Sequence, residues 1–199
     1  MQRLSTTFVL GYHGCDRHVA EDLLQNKPFE PSENDYDWLG SGIYFWEANP
    51  SRGLAWAREL QQYGKGKSSQ ITEPYVIGAV IELGYCLDLI SSTGLEFVKA
   101  GYRDFTEVIE TTGIKRPRNE GGNDLFLRHL DCAVINHIHD VNKSANRVEF
   151  ETVRGVFLEG NPIYETSGFH EKTHIQICVR NPRNIKGVFR VPSDQLEIG

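Results

Sequence analysis

The sequence predicts an α+β domain with a helical middle. Three observations lead there. Short apolar runs with strand-like alternation occur near both ends of the chain, two long stretches with helical spacing lie between about residues 91 and 143, and glycine, proline and asparagine punctuate the boundaries. At 199 residues the chain is expected to form one domain, 1–199, around a single core, with the segment 91–143 inserted as helices.

Residues 7–13 read as a short strand that stops at His13-Gly14, and "DRHVAEDLLQN" reads as a helix opening at Asp16 with Val19, Ala20, Leu23 and Leu24 on one face. Pro28 and Pro31 end it, and "EPSENDYDW" is a polar loop. "GSGIYFWE" is a short aromatic strand entered through glycines. "NPSRGLAWARELQQYG" begins as a helix should, with Asn49 as cap and Pro50 at the first helical position, although Gly53 weakens it. After the connection "GKGKSSQITEP", the run "YVIGAVIELGYCLDL" is long and continuously apolar, which predicts a strand buried on both faces. The inserted helices are "TGLEFVKAGYRDFTEVIETTG" and "DLFLRHLDCAVINHIHDVNK", separated by the loop "IKRPRNEGGN". Strands return in "VEFETVRGVFLEG", "THIQICVR" and "IKGVFRV".

Composition excludes several functional classes. With 39% hydrophobic and 24% charged residues the chain is that of a globular protein, not a disordered one. No run approaches the roughly 18 apolar residues of a membrane span, and the N-terminus lacks a secretory leader, so no membrane partner and a cytoplasmic location are expected. Cys15, Cys86, Cys132 and Cys178 show no Cys-x-x-Cys spacing and read as reduced core thiols. A net charge of −6 argues against broad attachment to nucleic acid or anionic lipid. The basic clusters Lys115, Arg116, Arg118 and Arg180, Arg183, Lys186 lack interleaved aromatics and read as solvated loop charge. His137 and His139 do not share a helix face and read as surface histidines, so no metal is expected. "GKGKSS" lacks the spacing of a phosphate loop, and "GYHGC" is no Gly-x-Gly-x-x-Gly fingerprint.

Three segments carry candidate chemistry: "YHG" (12–14), "GSGIYFWEANPSRGLAWA" (40–57) and "THIQICVRNP" (173–182). Gly14 can bring bare backbone against a flat carboxamide, Tyr44 can stack on a pyridinium ring, and Trp56 can cover the other side of that ring. In this order the segments resemble the NAD-binding half of the ADP-ribosyltransferases, in the poly-ADP-ribose-polymerase-like branch with a His-Tyr-Glu triad. The resemblance covers residues 8–60 well and 148–191 more loosely. It implies a split β-sheet core and NAD as substrate. His13 would bond the ribose of the adenosine half, and Ser51 or Arg52 would border the nicotinamide. The third triad position departs from the family, because Gln176 stands there in place of glutamate. A glutamine can hold a ribose hydroxyl but cannot stabilise a cation by charge or take a proton.

Transfer of a single ADP-ribose unit is therefore expected, with His174, two residues away on the same side of the strand, as base. Glu165 or Glu171 in the preceding loop could supply the missing carboxylate instead. The resemblance further implies a macromolecular acceptor, protein or nucleic acid, and a toxin or phage-defence role with an antitoxin protein as partner. The rival readings are an NAD glycohydrolase, a non-catalytic NAD or ADP-ribose binding module, and an RNA 2′-phosphotransferase, for which only Arg17 and Arg52 offer basic groups near the two leading motifs.

Overall fold

The computed structural model describes residues 8–64, 71–122 and 125–196. The stretch "GKGKSS" lies almost wholly outside the described residues. Strand β1 (Phe8–Asp16) ends on the residue that caps helix α1 (Arg17–Leu24). One Asp16 oxygen accepts the His18 N–H at 3.0 Å, and the other accepts the Thr72 and Glu73 N–H groups at 2.6 and 3.0 Å. A single carboxylate thus fastens the helix start to the chain entering the next strand. Burial raises the Asp16 pKa, but the bonds from Glu73, His18 and Thr72 outweigh it and hold the carboxyl well below its ordinary range. The folded value is depressed, so Asp16 stabilises the fold above an unfolded pKa of about 3.9 and loses that contribution as pH falls below it. Asp16→Ala is expected to cost about 1 to 2 kcal/mol at neutral pH, the usual range for a lost N-cap. The gap from wild type should narrow in acid denaturation profiles below about pH 4; a gap that stays constant would remove Asp16 from this role.

Strand β2 (Ile43–Glu47) leads into helix α2 (Pro50–Tyr63), capped by Asn49, whose Oδ1 accepts the Arg52 N–H at 3.0 Å. The long apolar run divides, contrary to expectation, into β3 (Pro74–Glu82) and β4 (Cys86–Asp88). Gly84, at φ 58°, turns the chain between them, and Glu151 accepts the Tyr85 N–H at 2.9 Å. The insertion contains α3 (Ser92–Thr112), a two-stranded ribbon of β5 (Asn119–Glu120) and β6 (Leu127–Arg128), and α4 (His129–Ser144). The ribbon was not anticipated and starts α4 later than its apolar spacing suggested. Asn119 reaches from it to cap α4, its Oδ1 accepting the Leu130 and Asp131 N–H groups at 2.8 and 3.2 Å. Strands β7 (Thr152–Phe157), β8 (His174–Val179) and β9 (Ile185–Arg190) complete the chain as expected.

Seven of these strands form one mixed sheet in the order β4-β7-β8-β2-β1-β3-β9, with only β4 and β7 parallel. The sheet has two halves. Strand β1 pairs with β3 over nine positions, from Phe8↔Glu82 to Asp16↔Pro74, but with β2 only at Gly11↔Glu47 and Tyr12↔Trp46. One face buries Ile43, Phe45, Ile81 and Ile177, with α1 beneath β1 and β3. The other face is covered by α2 on the β1–β3 half, and by Val134, Ile135 and Ile138 of α4 on the β7–β8 half. His139 is not a surface residue. It is 2% exposed and edge-on to Phe150, and burial, then Arg180, pushes its pKa down to about 3. His137 lies against Asp104 of α3 at 2.5 Å. Among the described residues no helix is long and apolar enough to cross a membrane, and no group of three or more His, Cys, Asp or Glu could hold a metal ion.

Candidate active site

The seam between the two half-sheets is where the sequence motifs meet. Beyond Tyr12↔Trp46, β1 continues along β3 while Tyr44 and Phe45 pair with β8, so the described ladder between β1 and β2 stops. His13 crosses the seam, its Nδ1 lying 2.8 Å from the Tyr44 carbonyl oxygen. A carbonyl only accepts, so Nδ1 carries the proton and Nε2 is left as an acceptor. The ring is held between Phe29 and Phe45, at centroid distances of 5.5 and 5.6 Å. Burial lowers its pKa and the bond to Tyr44 only partly offsets this, so His13 is neutral at pH 7.

Alternation along the strands separates His13 from Tyr44. The His13 ring lies on the face that carries Phe45, whereas the Tyr44 ring packs on the opposite face with the Leu39, Ile135 and Cys178 cluster. The Tyr44 hydroxyl donates to the Gly40 carbonyl at 2.8 Å and accepts the Leu39 N–H at 3.0 Å; burial pushes its pKa well up. In this structure the ring expected to stack on nicotinamide is engaged with the core. Gly14 also has a packing role: a Cβ there would lie 2.1 Å from the Gly53 carbonyl oxygen and 3.3 Å from the Trp56 ring. The missing side chain allows α2 to sit directly on β1, with the Gly53 carbonyl over Gly14.

On the Trp46 face of the seam lies a buried group of charged and aromatic side chains. Arg52 Nη2 donates to both Glu159 oxygens, at 3.0 and 2.9 Å, and both side chains are buried. Glu59 accepts from Arg52 at 3.4 Å and from Lys172 at 2.9 Å. The Arg52 guanidinium lies 6.0 Å from the Trp46 ring centroid, and Trp56 tilts against Trp46 at 5.3 Å. His174 stacks on Phe157 at 5.6 Å, lies 6.1 Å from Trp46, and places Nδ1 2.6 Å from the Lys172 carbonyl and 3.9 Å from Glu159. Ser51 is half-buried in the first turn of α2 beside Arg52.

The structure therefore brings Arg52, Trp56 and His174 together, and places Gln176 directly opposite Trp46. Gln176 accepts the Trp38 indole N–H at 2.6 Å, and Gly155, facing it across β7, leaves the room that Trp38 fills. Glu165 and Glu171 are exposed, and Glu171 binds its own loop through the Asn161 N–H at 3.2 Å. The carboxylate nearest His174 and Arg52 is instead Glu159, which the sequence reading passed over. Its only signal is an acidic residue closing an apolar strand just before Gly160, at φ 83°.

Over 190 residues the chain is 29% identical to an uncharacterised protein of Methanocaldococcus jannaschii, covering 88% of this chain and 83% of that one. No protein-family model and no solved structure matches it.

Proposed function

We propose that this chain is an NAD-dependent mono-ADP-ribosyltransferase that works at the seam between the half-sheets. One observation carries the reading: α2 rests on Gly14, and from there Trp56 reaches Trp46 and Arg52 shares Glu159 with His174, so that parts of all three motifs meet on one face of the sheet. These are the three motifs on which the resemblance rests, and the short ladder between β1 and β2 supports the split core it implies. In the reaction the bond from ribose C1′ to the nicotinamide nitrogen breaks, its electron pair neutralising the pyridinium. The acceptor then bonds to C1′ and releases a proton. The developing cation is stabilised by position and by the polar surroundings more than by covalent chemistry; the nearby carboxylates of Glu159 and Glu59 are paired with Arg52 and Lys172.

The acceptor is a macromolecule, protein or nucleic acid, in a cytoplasmic toxin or defence setting where an antitoxin would neutralise it. The decisive test incubates the protein and cell lysate with NAD labelled in the ADP-ribose moiety, and follows released nicotinamide and label by mass spectrometry. One labelled unit per acceptor site is expected. Label found wholly in free ADP-ribose would make the chain a glycohydrolase, and binding without nicotinamide release would make it a binding module.

A further inference from the structure

Four polar atoms in the cluster beside the seam have no hydrogen-bond partner among the described residues: Trp46 Nε1, Arg52 Nε, Arg52 Nη1 and His174 Nε2. Their residues are 2, 8 and 6% exposed, so leaving such groups unmatched is costly unless a ligand completes them. Three of the atoms are N–H donors. The fourth is an acceptor, because His174 gives the proton on Nδ1 to the Lys172 carbonyl. The charges facing His174 are Arg52 and Glu59 from α2, Glu159 after β7 and Lys172 before β8, two of each sign. With the charges balanced, the group that fits one acceptor among several donors is a neutral O–H, which gives one hydrogen bond and takes others.

We propose that these atoms hold the O–H group that receives ADP-ribose, either an acceptor hydroxyl or water, and that His174 Nε2 takes its proton. This rests on the NAD reading and names the class of nucleophile. Trp46 and Arg52 donate to the hydroxyl oxygen as it bonds to C1′. Nicotinamide leaves with the electron pair of the broken C–N bond, and the proton passes from His174 to solvent. A carboxylate acceptor has no proton for His174, and a guanidinium would bring a second cation against Arg52. Burial lowers the His174 pKa more than the Lys172 bond and the carboxylates raise it, so the base is in its working form at pH 7.

The test uses the full chain, lysate and labelled NAD, with nicotinamide release measured separately from the linkage formed. Protein-bound label is expected to survive neutral hydroxylamine and mercuric ion, as an O-glycoside does and an ester or thioglycoside does not. Added methanol should divert label to O-methyl-ADP-ribose if water is the native nucleophile, and leave the protein-bound share unchanged if a protein hydroxyl is. His174→Asn should slow nicotinamide release about 10²- to 10⁴-fold, the usual loss of a general base, and the wild-type rate should hold through the ordinary histidine range and fall only at lower pH, because the His174 pKa is lowered. Nitrogen NMR of the wild type, independent of the variant's folding, should show the proton of neutral His174 on Nδ1. Labile label, a folded His174→Asn variant at wild-type rate, or a proton on Nε2 overturns the inference alone. No nicotinamide release from NAD overturns both the inference and the reading beneath it.

Discussion

Glu159→Ala is expected to destabilise the protein by about 3 to 5 kcal/mol, because removing one member of a buried ion pair leaves the other as an uncompensated buried charge. Arg52 is 8% exposed, and Glu159 is the partner that takes two of its hydrogen bonds. Glu59, at 3.4 Å and more exposed, cannot replace it. For a chain of this size the loss corresponds to a fall in Tm of roughly 6 to 20 °C. Replacing both members, Arg52→Met with Glu159→Leu, should recover most of that stability, since an apolar pair of similar volume avoids the desolvation cost. Lys172→Ala, at a half-exposed site, should cost no more than about 1 kcal/mol. The measurement is a double-mutant cycle by chemical denaturation. A double variant whose loss equals the sum of those of Arg52→Met and Glu159→Leu made singly would show that the pair is not coupled as its geometry indicates.

Gly14→Ala is the second large effect. A methyl group at that position would enter the Gly53 carbonyl at 2.1 Å, and backbone on both sides prevents a rotamer change from relieving it. Helix α2 must move, at a cost of about 1 to 3 kcal/mol or more for overpacking, and Arg52 and Trp56 move with it. The reciprocal change is mild. A Cβ on Gly53 meets Val76 at 3.2 Å and Trp46 at 3.5 Å, and alanine is worth about 1 kcal/mol over glycine inside a helix. Thermal melts should therefore show Gly14→Ala well below wild type and Gly53→Ala near it. If the two variants melt together, the close contact of α2 on β1 is not what Gly14 is for.

Local chemistry made much of this protein legible in its sequence. Asp16 and Asn49 are helix caps because their short carboxylate and amide reach the first free N–H groups, which needs no knowledge of the rest of the chain. The strand character of β7, β8 and β9 follows from apolar alternation, and the helical insertion from its spacing. The motifs "YHG" and "GSGIYF" lie side by side, joined by His13 and the Tyr44 carbonyl, but the strand end expected at His13-Gly14 is not there: β1 runs on to Asp16 because both residues pair with β3.

Tertiary structure decided the rest, through contacts between residues far apart in the chain. The long apolar run broke into β3 and β4 because Glu151, some 66 residues on, takes the Tyr85 N–H at the turn. Polarity alone places His139 on the surface, but α4 lies against the sheet and buries it. Period two told that His174 and Gln176 share a face; it could not tell that Trp38 would occupy Gln176, or that His13 and Tyr44 would lie on opposite faces of adjacent strands. Glu159 was invisible for the same reason. Its importance comes from Arg52, 107 residues earlier in the chain, and a buried ion pair exists only once both side chains have been removed from water together.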